Sequence, residues 1–419
     1  MKELKCDVAV VGAGPAGLAA AAAAKREGAE RVVVIERDRT PGGILLQCIH
    51  PGFGLSYFKE ELTGPEYASR FAEAAREAGV EFLADATVLE IGDGFLRCIG
   101  AECGVLEVRA GAIVLAMGCR ERTRGNIRIP GTRPAGVYTA GAAQRLVNRQ
   151  NMMIGKKVVI LGSGDIGMIM ARRLTLQGAK VEAVVELLPY LAGLTRNRVQ
   201  CLDDFGIPLL LSHTVADIRG NERVEAVKIV AVDEKRQPIA GTERVIPCDT
   251  LMLSVGLIPE NELTRAAGIE IDRVTNGPSV NQYMQTSLPS VFACGNVVHV
   301  NDLVDNVSRE SEQAGRSAAR FAKGTLPKAR EIGCKAASGV RYVVPQRIAL
   351  SGADEDLTLY FRVTAPGAAS TLAAEQAGKT LTSRKVRRVS PGEMEHLNLK
   401  SSVLTDGDLS VALTAEEGK

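Results

Sequence analysis

The stretch Asp7-Val8-Ala9-Val10-Val11-Gly12-Ala13-Gly14-Pro15-Ala16-Gly17 decides the fold. An apolar run ends in a glycine turn. An Ala-rich segment follows, predicted as a helix to about Gly28, and a second apolar run, Arg31-Val32-Val33-Val34-Ile35, closes at Glu36. Strand, glycine turn, helix and strand make a βαβ unit, and unbroken apolar strands suit a parallel sheet buried on both faces. The glycines have separate tasks. Gly12 permits the tight turn, Gly14 lets backbone approach a pyrophosphate, and Gly17 lets helix and strand pack closely. Pro15 and Ala16 open the helix, whose N-terminus offers unpaired N–H groups and a partial positive charge to phosphates. Glu36 stands 24 positions after Gly12 (36 − 12), where a carboxylate accepts hydrogen bonds from a ribose. This predicts a dinucleotide site.

The pattern restarts at Lys157-Val158-Val159-Ile160-Leu161-Gly162-Ser163-Gly164-Asp165-Ile166-Gly167. A helix to Gln177 and a strand Lys180–Val185 lead to Glu186, again 24 positions on (186 − 162). Gly162, Gly164, Asp165, Ile166 and Gly167 are the candidate pyrophosphate loop. A carboxylate at Glu186 accepts from a free 2′-hydroxyl and repels a 2′-phosphate, and Leu187-Leu188-Pro189-Tyr190 brings no Arg or Lys. NAD(H) is therefore expected rather than NADP(H). The competing reading, a second unit that has lost its nucleotide, stays open.

Between the two units, Gly64–Gly79 reads as a helix with Phe71, Ala74, Ala75 and Ala78 on one stripe. Strands are expected at Glu81–Leu83, Phe95–Ile99, Val105–Val108 and Ala112–Leu115, forming a small antiparallel meander. After the second unit, strands are expected near Val224–Val232 and Glu243–Pro247, then Thr250–Gly256 and a helix from about Asp305 to Lys323. The segment 324–338 reads as a linker. Beyond it, Arg341–Leu350, Leu357–Val363, Lys379–Val389, Glu393–Leu399 and Leu409–Thr414 alternate like strands of a small sandwich. The fold class is thus α/β: two Rossmann-like three-layer ββα dinucleotide-binding domains plus a small C-terminal β domain. The expected domains are 1–125 with 275–325, 135–270, and 339–419.

Net charge is only +2, which gives no argument for nucleic acid or a membrane surface. No apolar stretch approaches the ~18 residues of a membrane span. Nine cysteines, an odd number without a C-x-x-C, argue for a reducing cytoplasm and against a zinc site or disulfide framework. The start lacks the apolar core of a secretory signal.

Four motifs in order resemble the two-dinucleotide-binding-domain flavoproteins, the superfamily of thioredoxin reductase and NADH oxidases. They are the first glycine loop, Pro41-Gly42-Gly43, Ala112-Ile113-Val114-Leu115-Ala116-Met117-Gly118, and Thr286-Ser287-Leu288-Pro289-Ser290-Val291-Phe292-Ala293-Cys294-Gly295-Asn296. The resemblance covers about residues 5–323 and implies FAD at the first loop. It adds Arg37, Gly42, Gly43, Val88, Ala116, Met117, Gly118, Gly295 and Asn296 to the FAD site. Asn296 stands where the family carries Asp, which removes a charge but leaves an amide able to bond a ribityl hydroxyl. Gly256-Leu257-Ile258-Pro259 resembles the turn that returns the chain to the FAD domain, and places Gly256 at the NAD site. The mechanism implied is hydride transfer between nicotinamide C4 and flavin N5.

Disulfide reductases of this superfamily carry two cysteines beside the flavin. Here the loop after Gly43 holds only Cys48, and Tyr138–Gln144 holds none. Cys98 and Cys103 fall in the meander, where buried structural thiols are expected. Cys48 is weighed as a sulfenate-forming residue against a packing cysteine. His50 and His299 flank flavin motifs and are weighed as proton donors against loop histidines bonded to backbone. Arg120, Arg122 and Arg124 would hold an anion or line a solvated face. The helix near Asp305–Ser308 would aim its N-terminus at the flavin. Gly136–Gln144 resembles the α subunits of opine oxidase, hydrogen cyanide synthase and heteromeric proline dehydrogenase. The loop 43–58, the 120–125 segment and the β tail look like an anaerobe family paired with glycerol-3-phosphate-dehydrogenase-like flavoproteins. That implies an oligomer in which electrons pass between NAD(H) and a second flavoprotein dehydrogenase subunit. Two alternatives are a stand-alone NADH oxidase or peroxidase using Cys48, and a non-catalytic FAD-binding subunit.

Overall fold

The structure, a computed structural model, describes residues 2–352 and 354–415. It divides into two compact units, Met1–Cys119 with Pro259–Lys419, and Arg120–Ile258.

In the first unit the strands Glu81–Leu83, Val32–Ile35, Lys2–Val11 and Gly104–Leu115 lie side by side and parallel. The last of these is one continuous strand of 12 residues, where two were expected. Its first half pairs antiparallel with Phe95–Gly100, which pairs in turn with Ala86–Gly92. Its end pairs parallel with Val291–Ala293. One strand thus serves both the parallel layer and the meander. Val8, Ala9, Val10, Val32, Val34, Ile113 and Val114 are fully buried, as strands covered on both faces must be.

Helices cover this sheet. Helix Pro15–Arg26 is buried from Ala16 through Ala24. The long helix Val304–Ala322 crosses it so closely that a Cβ on Gly315 would lie 2.0 Å from the Ala20 carbonyl oxygen. Only small side chains allow this approach, which explains the alanine run. Helix Gly64–Glu77 starts with a capping box: the Thr63 side chain accepts from Glu66 N, and the Glu66 carboxylate accepts from Thr63 N at 2.7 Å.

The second unit repeats the plan. Strands Leu209–Leu210, Lys180–Val185, Lys157–Leu161, Thr250–Leu253 and Val137–Thr139 form a parallel sheet in that order. A three-stranded antiparallel sheet of His213–Arg219, Ala226–Ala231 and Arg244–Pro247 accompanies it.

The C-terminal part is a sandwich. A five-stranded sheet runs Arg347–Ala349, Glu331–Ala336, Leu409–Ala415, Ser370–Gln376, Lys379–Val386; a three-stranded sheet runs Val340–Val344, Asp356–Val363, Glu395–Lys400. Leu359, Phe361, Leu372, Leu397, Leu409 and Val411 from both sheets share one core. The segment expected as a linker contains the strand Glu331–Ala336. The single strand expected over 341–350 is two, split at Pro345-Gln346 and belonging to different sheets. Proline has no N–H for a ladder, so the strand breaks there. Among the described residues no helix is long and apolar enough to cross a membrane, and no cluster of three metal-ligating side chains occurs.

Candidate functional site

The first glycine loop is built by crowding. Gly12 takes a φ of +101°, and a Cβ there would sit 2.6 Å from the Ala116 carbonyl oxygen. A Cβ on Gly17 would lie 1.7 Å from the Gly12 carbonyl oxygen. Gly14, at the helix N-cap, faces open space instead. Glu36 is buried at the end of its strand; its Oε2 accepts from Ala13 N at 2.6 Å and its Oε1 from Asp38 N at 2.8 Å. Each oxygen keeps a further lone pair for a ribose hydroxyl.

The other three flavin motifs meet at this helix end. Gly42 N donates to Ala13 O at 2.7 Å. A Cβ on Gly43 would lie 2.9 Å from Gly14 Cα, and one on Gly295 2.8 Å from Ala16 Cβ. Ala116 N donates to Val11 O, and Gly118 turns with a φ of +72°. Met117 is half-buried against the main core. Val88 is buried on the strand Ala86–Gly92, and Arg37 is exposed beyond Glu36. The first helical turn has no intrahelical partner for its N–H groups. A space open in front of Gly14, beside those groups and a fixed carboxylate, fits the diphosphate and ribose of a dinucleotide.

Asn296 is engaged at both ends of its amide. Its Oδ1 accepts from Asn301 N at 2.9 Å and its Nδ2 faces Cys119 Sγ at 3.7 Å. Cys48 is half-buried, and its thiol donates to Ile44 O at 3.4 Å. His50 Nδ1 bonds Pro51 O at 3.0 Å, and its ring packs on Phe53. Each therefore has a local backbone partner. His299 is buried and bonded to Glu310. Arg124 is committed to the protein: its guanidinium donates to the carbonyls of Ile129, Pro130, Gly131 and Thr132. Burial, reinforced by Arg133, lowers its pKa. Arg120 and Arg122 are exposed.

The second loop has the same geometry. Gly162 has a φ of +101°, and its Cβ would meet Ser254 O at 2.1 Å. Gly164 is the N-cap of helix Asp165–Leu176. A Cβ on Gly167 would lie 2.7 Å from Ser254 Cβ. Glu186 is buried; its Oε2 accepts from Ser163 N (2.8 Å) and Ser163 Oγ (2.7 Å), and its Oε1 from Leu188 N (2.8 Å). Asp165 Oδ1 accepts from Leu194 N and Asn197 Nδ2. Ile166 follows it, half-buried, in the first turn. Gly256, exposed with a φ of +100°, accepts at its carbonyl from Arg122 N.

Sequence reasoning missed three side chains. Asp305 is buried in the first turn of helix Val304–Ala322. Its carboxylate accepts from Gly54 N, Ser56 N and Tyr57 N, so it ties down the 54–57 loop. Glu310, also buried, accepts from Gly295 N at 2.8 Å. Ser163 supplies the hydroxyl that fixes Glu186. The available signal was polarity out of place: Asp305, Ser308, Glu310 and Ser311 are buried along the same helix as Ala314 and Ala318.

A family model described as pyridine nucleotide-disulphide oxidoreductase matches residues 6–318. An opine oxidase subunit from Agrobacterium tumefaciens (strain Ach5) is 30% identical over 283 residues, covering 63% of this chain and 55% of that protein. The NADPH glutamate synthase small chain of Escherichia coli (strain K12) is 28% identical over 348 residues, covering 75% and 68% respectively. The structure of Lactococcus lactis thioredoxin reductase shares the fold with a TM-score of 0.63 at 22% identity, over 76% of this chain and 99% of that one. With two glycine-loop units in one chain and a family match across both, the chain belongs to the pyridine nucleotide-disulphide oxidoreductase family, oxidoreductases that work with FAD and NAD(P)H.

Proposed function

We propose that this oxidoreductase passes electrons between NAD(H) and a partner dehydrogenase subunit or other acceptor by way of FAD, without a redox-active disulfide. The FAD-binding region would be 1–125 with 275–325 and the NAD-binding region 135–270, with 339–419 as a β appendage. When bound, FAD supplies hydride and single-electron chemistry and NAD(H) supplies hydride. The protein's own work is positioning. Gly12–Gly17, Gly42–Gly43, Ala116–Gly118 and Gly295–Asn296 hold the flavin nucleotide, with Glu36 on its ribose. Gly162–Gly167 with Glu186 holds the second nucleotide.

The observation that carries this reading is Glu186. Three protein donors hold its carboxylate at the end of the second strand, which supports a nucleotide with a free 2′-hydroxyl over one whose 2′-phosphate it would repel. The Escherichia coli relative bears NADPH in its name, so the choice of NAD(H) here rests on this side chain. Against dithiol chemistry, burial pushes the Cys98 thiol up to about 11 and that of Cys294 up to about 12, which disfavours thiolates. Cys48 stands alone in its loop. The partner role is supported by relatives that are subunits by name, the opine oxidase protein among them.

Anaerobic stopped-flow with NADH and NADPH tests the whole reading. The purified protein should be yellow, bleach rapidly with NADH and slowly with NADPH, and turn over poorly with oxygen alone. A colourless protein, or flavin untouched by NADH, overturns it. Affinity capture from the native source should bring down a second flavoprotein; full turnover by the isolated chain would rule out the partner role.

A further inference from the structure

The segment 295–303 is gripped from two sides. From helix Val304–Ala322, Glu310 Oε1 accepts from Gly295 N at 2.8 Å and its Oε2 bonds His299 Nε2 at 2.7 Å. His299 is 1% exposed and Glu310 5%. His299 Nδ1 is buried with no hydrogen-bond partner. From the C-terminal sandwich, the Arg362 guanidinium donates to Val300 O at 3.1 Å, and pairs with Asp302 at 3.7 Å. Its other nitrogen is anchored on Pro391 O inside the sandwich. Met394 N donates to Asp302 Oδ2 at 3.0 Å. The Tyr342 ring meets His299 edge-on with centroids 5.9 Å apart, and Tyr360 lies at 6.2 Å.

A buried histidine–carboxylate pair is costly to hold dry and keeps its geometry only while its surroundings are closed and its other partners are in place. The sandwich supplies that closure. The surroundings are dry: burial first, then the Glu310 carboxylate, push the Tyr360 phenol up to about 12 against the opposing pull of Arg309. The groups facing the pair are Tyr342 and Tyr360 from the sandwich, with His396 behind Tyr360. Asp302 and Arg362 stand on the adjoining stretch.

We infer that the C-terminal sandwich is a positioning brace for the cofactor-facing turn Gly295–Asn296, acting through Arg362 and the buried His299–Glu310 pair. The inference rests on the proposal above that this turn faces FAD. Arg362 and Tyr342 fix 299–302; that fixes His299; His299 and Gly295 N together fix Glu310. Arg362 is a positioning residue.

The test uses the full-length, FAD-loaded protein with Arg362→Ala, Arg362→Lys and the control Thr358→Ala, whose hydroxyl bonds Asn398 across the neighbouring strand. Three quantities are read: hydrogen exchange of amides 294–302, the FAD dissociation constant, and the flavin midpoint potential. Arg362→Ala should speed exchange there and weaken FAD by about tenfold each, the loss of one charged hydrogen bond, and should shift the potential. Arg362→Lys should restore most of all three, and Thr358→Ala should change none. Should Arg362→Ala fail to accumulate, Asp302→Ala removes the other link between the sandwich and this segment, the Arg362–Asp302 pair and the Met394 N bond, with the same direction of change expected in all three. Exchange, affinity and potential all equal to the parent protein's, with only thermal stability lowered, would overturn the brace. If the parent protein carries no FAD, the functional proposal falls, and the exchange measurement still decides the brace.

Discussion

The two glycine-loop units are the same device built under different crowding. In both, the first glycine has a φ of +101° and a buried glutamate accepts from the amide of the residue between the first two glycines. In both, a glycine from the next loop donates to that residue's carbonyl: Gly42 N to Ala13 O at 2.7 Å, and Gly193 N to Ser163 O at 3.1 Å. The differences lie in what covers the helix. Helix Pro15–Arg26 is pressed between sheet and helix Val304–Ala322, and its side chains from Ala16 to Ala24 are all buried. Helix Asp165–Leu176 carries Arg172 and Arg173 and leaves Leu176 half in water. The third glycine follows suit. A Cβ would lie 1.7 Å from the first glycine's carbonyl oxygen at Gly17 but 2.9 Å at Gly167. Crowding at the third glycine thus follows the covering layers, whereas at the first glycine the second unit is the tighter, with a Cβ 2.1 Å from Ser254 O at Gly162 against 2.6 Å from Ala116 O at Gly12.

The sharpest way to break that comparison is to add one methyl group to each unit. Gly17→Ala should cost about 3 kcal/mol or more and release FAD, because backbone must move; Gly167→Ala should cost about 1 kcal/mol. Denaturant titrations followed by flavin release and circular dichroism check the order. Equal costs would show that the covering layers do not matter. Next in size is Glu186→Ser. It should lower the NADH-over-NADPH ratio of kcat/KM by about a hundredfold, the scale of one hydrogen bond to a charged group. Glu36→Gln should leave that ratio alone and weaken FAD by about tenfold. Steady-state kinetics with both nucleotides separates the two roles. A shifted ratio in Glu36→Gln would mean the units are not independent.

Both glycine loops were legible because their strands are buried on two faces and so read as apolar runs, and because the acid spacing repeats. Three of the strands that escaped share one physical cause. Ala86–Gly92, His213–Arg219 and Ser370–Gln376 each carry a register shift, between Val88 and Glu90, Val215 and Asp217, and Ala374 and Glu375. A bulge breaks the two-residue alternation on which strand reading rests. Asp305 and Glu310 escaped for a different reason. Their partners, the 54–57 loop and Gly295, are brought to them only by the folded chain. A charge on a buried helix face then reads as an exception and not as an anchor.

A smaller effect separates the units by pH. Asp249 holds the entry to the second unit: its carboxylate accepts from Lys156 N, Lys157 N and the Thr250 hydroxyl. Partial burial pushes it up, but those donors outweigh burial and hold it below the ordinary carboxylate value. A depressed carboxylate stabilises the folded state above its unfolded pKa, and that contribution fades as pH falls through the folded value. Asp249→Asn should therefore cost about 1 kcal/mol at neutral pH. The gap to the parent protein should close in acid below the usual carboxylate range. A gap that persists there would mean that packing and not charge is lost.

The smallest expected effect falls on Cys48, in the loop that follows Gly42-Gly43. Its counterpart in the second unit, which follows Gly193, begins Leu194-Thr195-Arg196-Asn197 and has no thiol there. If the loop's task is the same in both units, to brace the glycine turn, the thiol is dispensable. A serine hydroxyl can donate to Ile44 O as the thiol now does. Cys48→Ser should then leave anaerobic flavin reduction by NADH within about twofold of the parent rate, well under the 10²–10⁴-fold that removing a group active in proton transfer costs. Peroxide-dependent NADH consumption should be equally low in both proteins. A parent protein that consumes NADH rapidly with peroxide, and a variant that does not, would make Cys48 a sulfenate-forming nucleophile. It would also replace electron transfer to a partner with self-contained peroxide reduction.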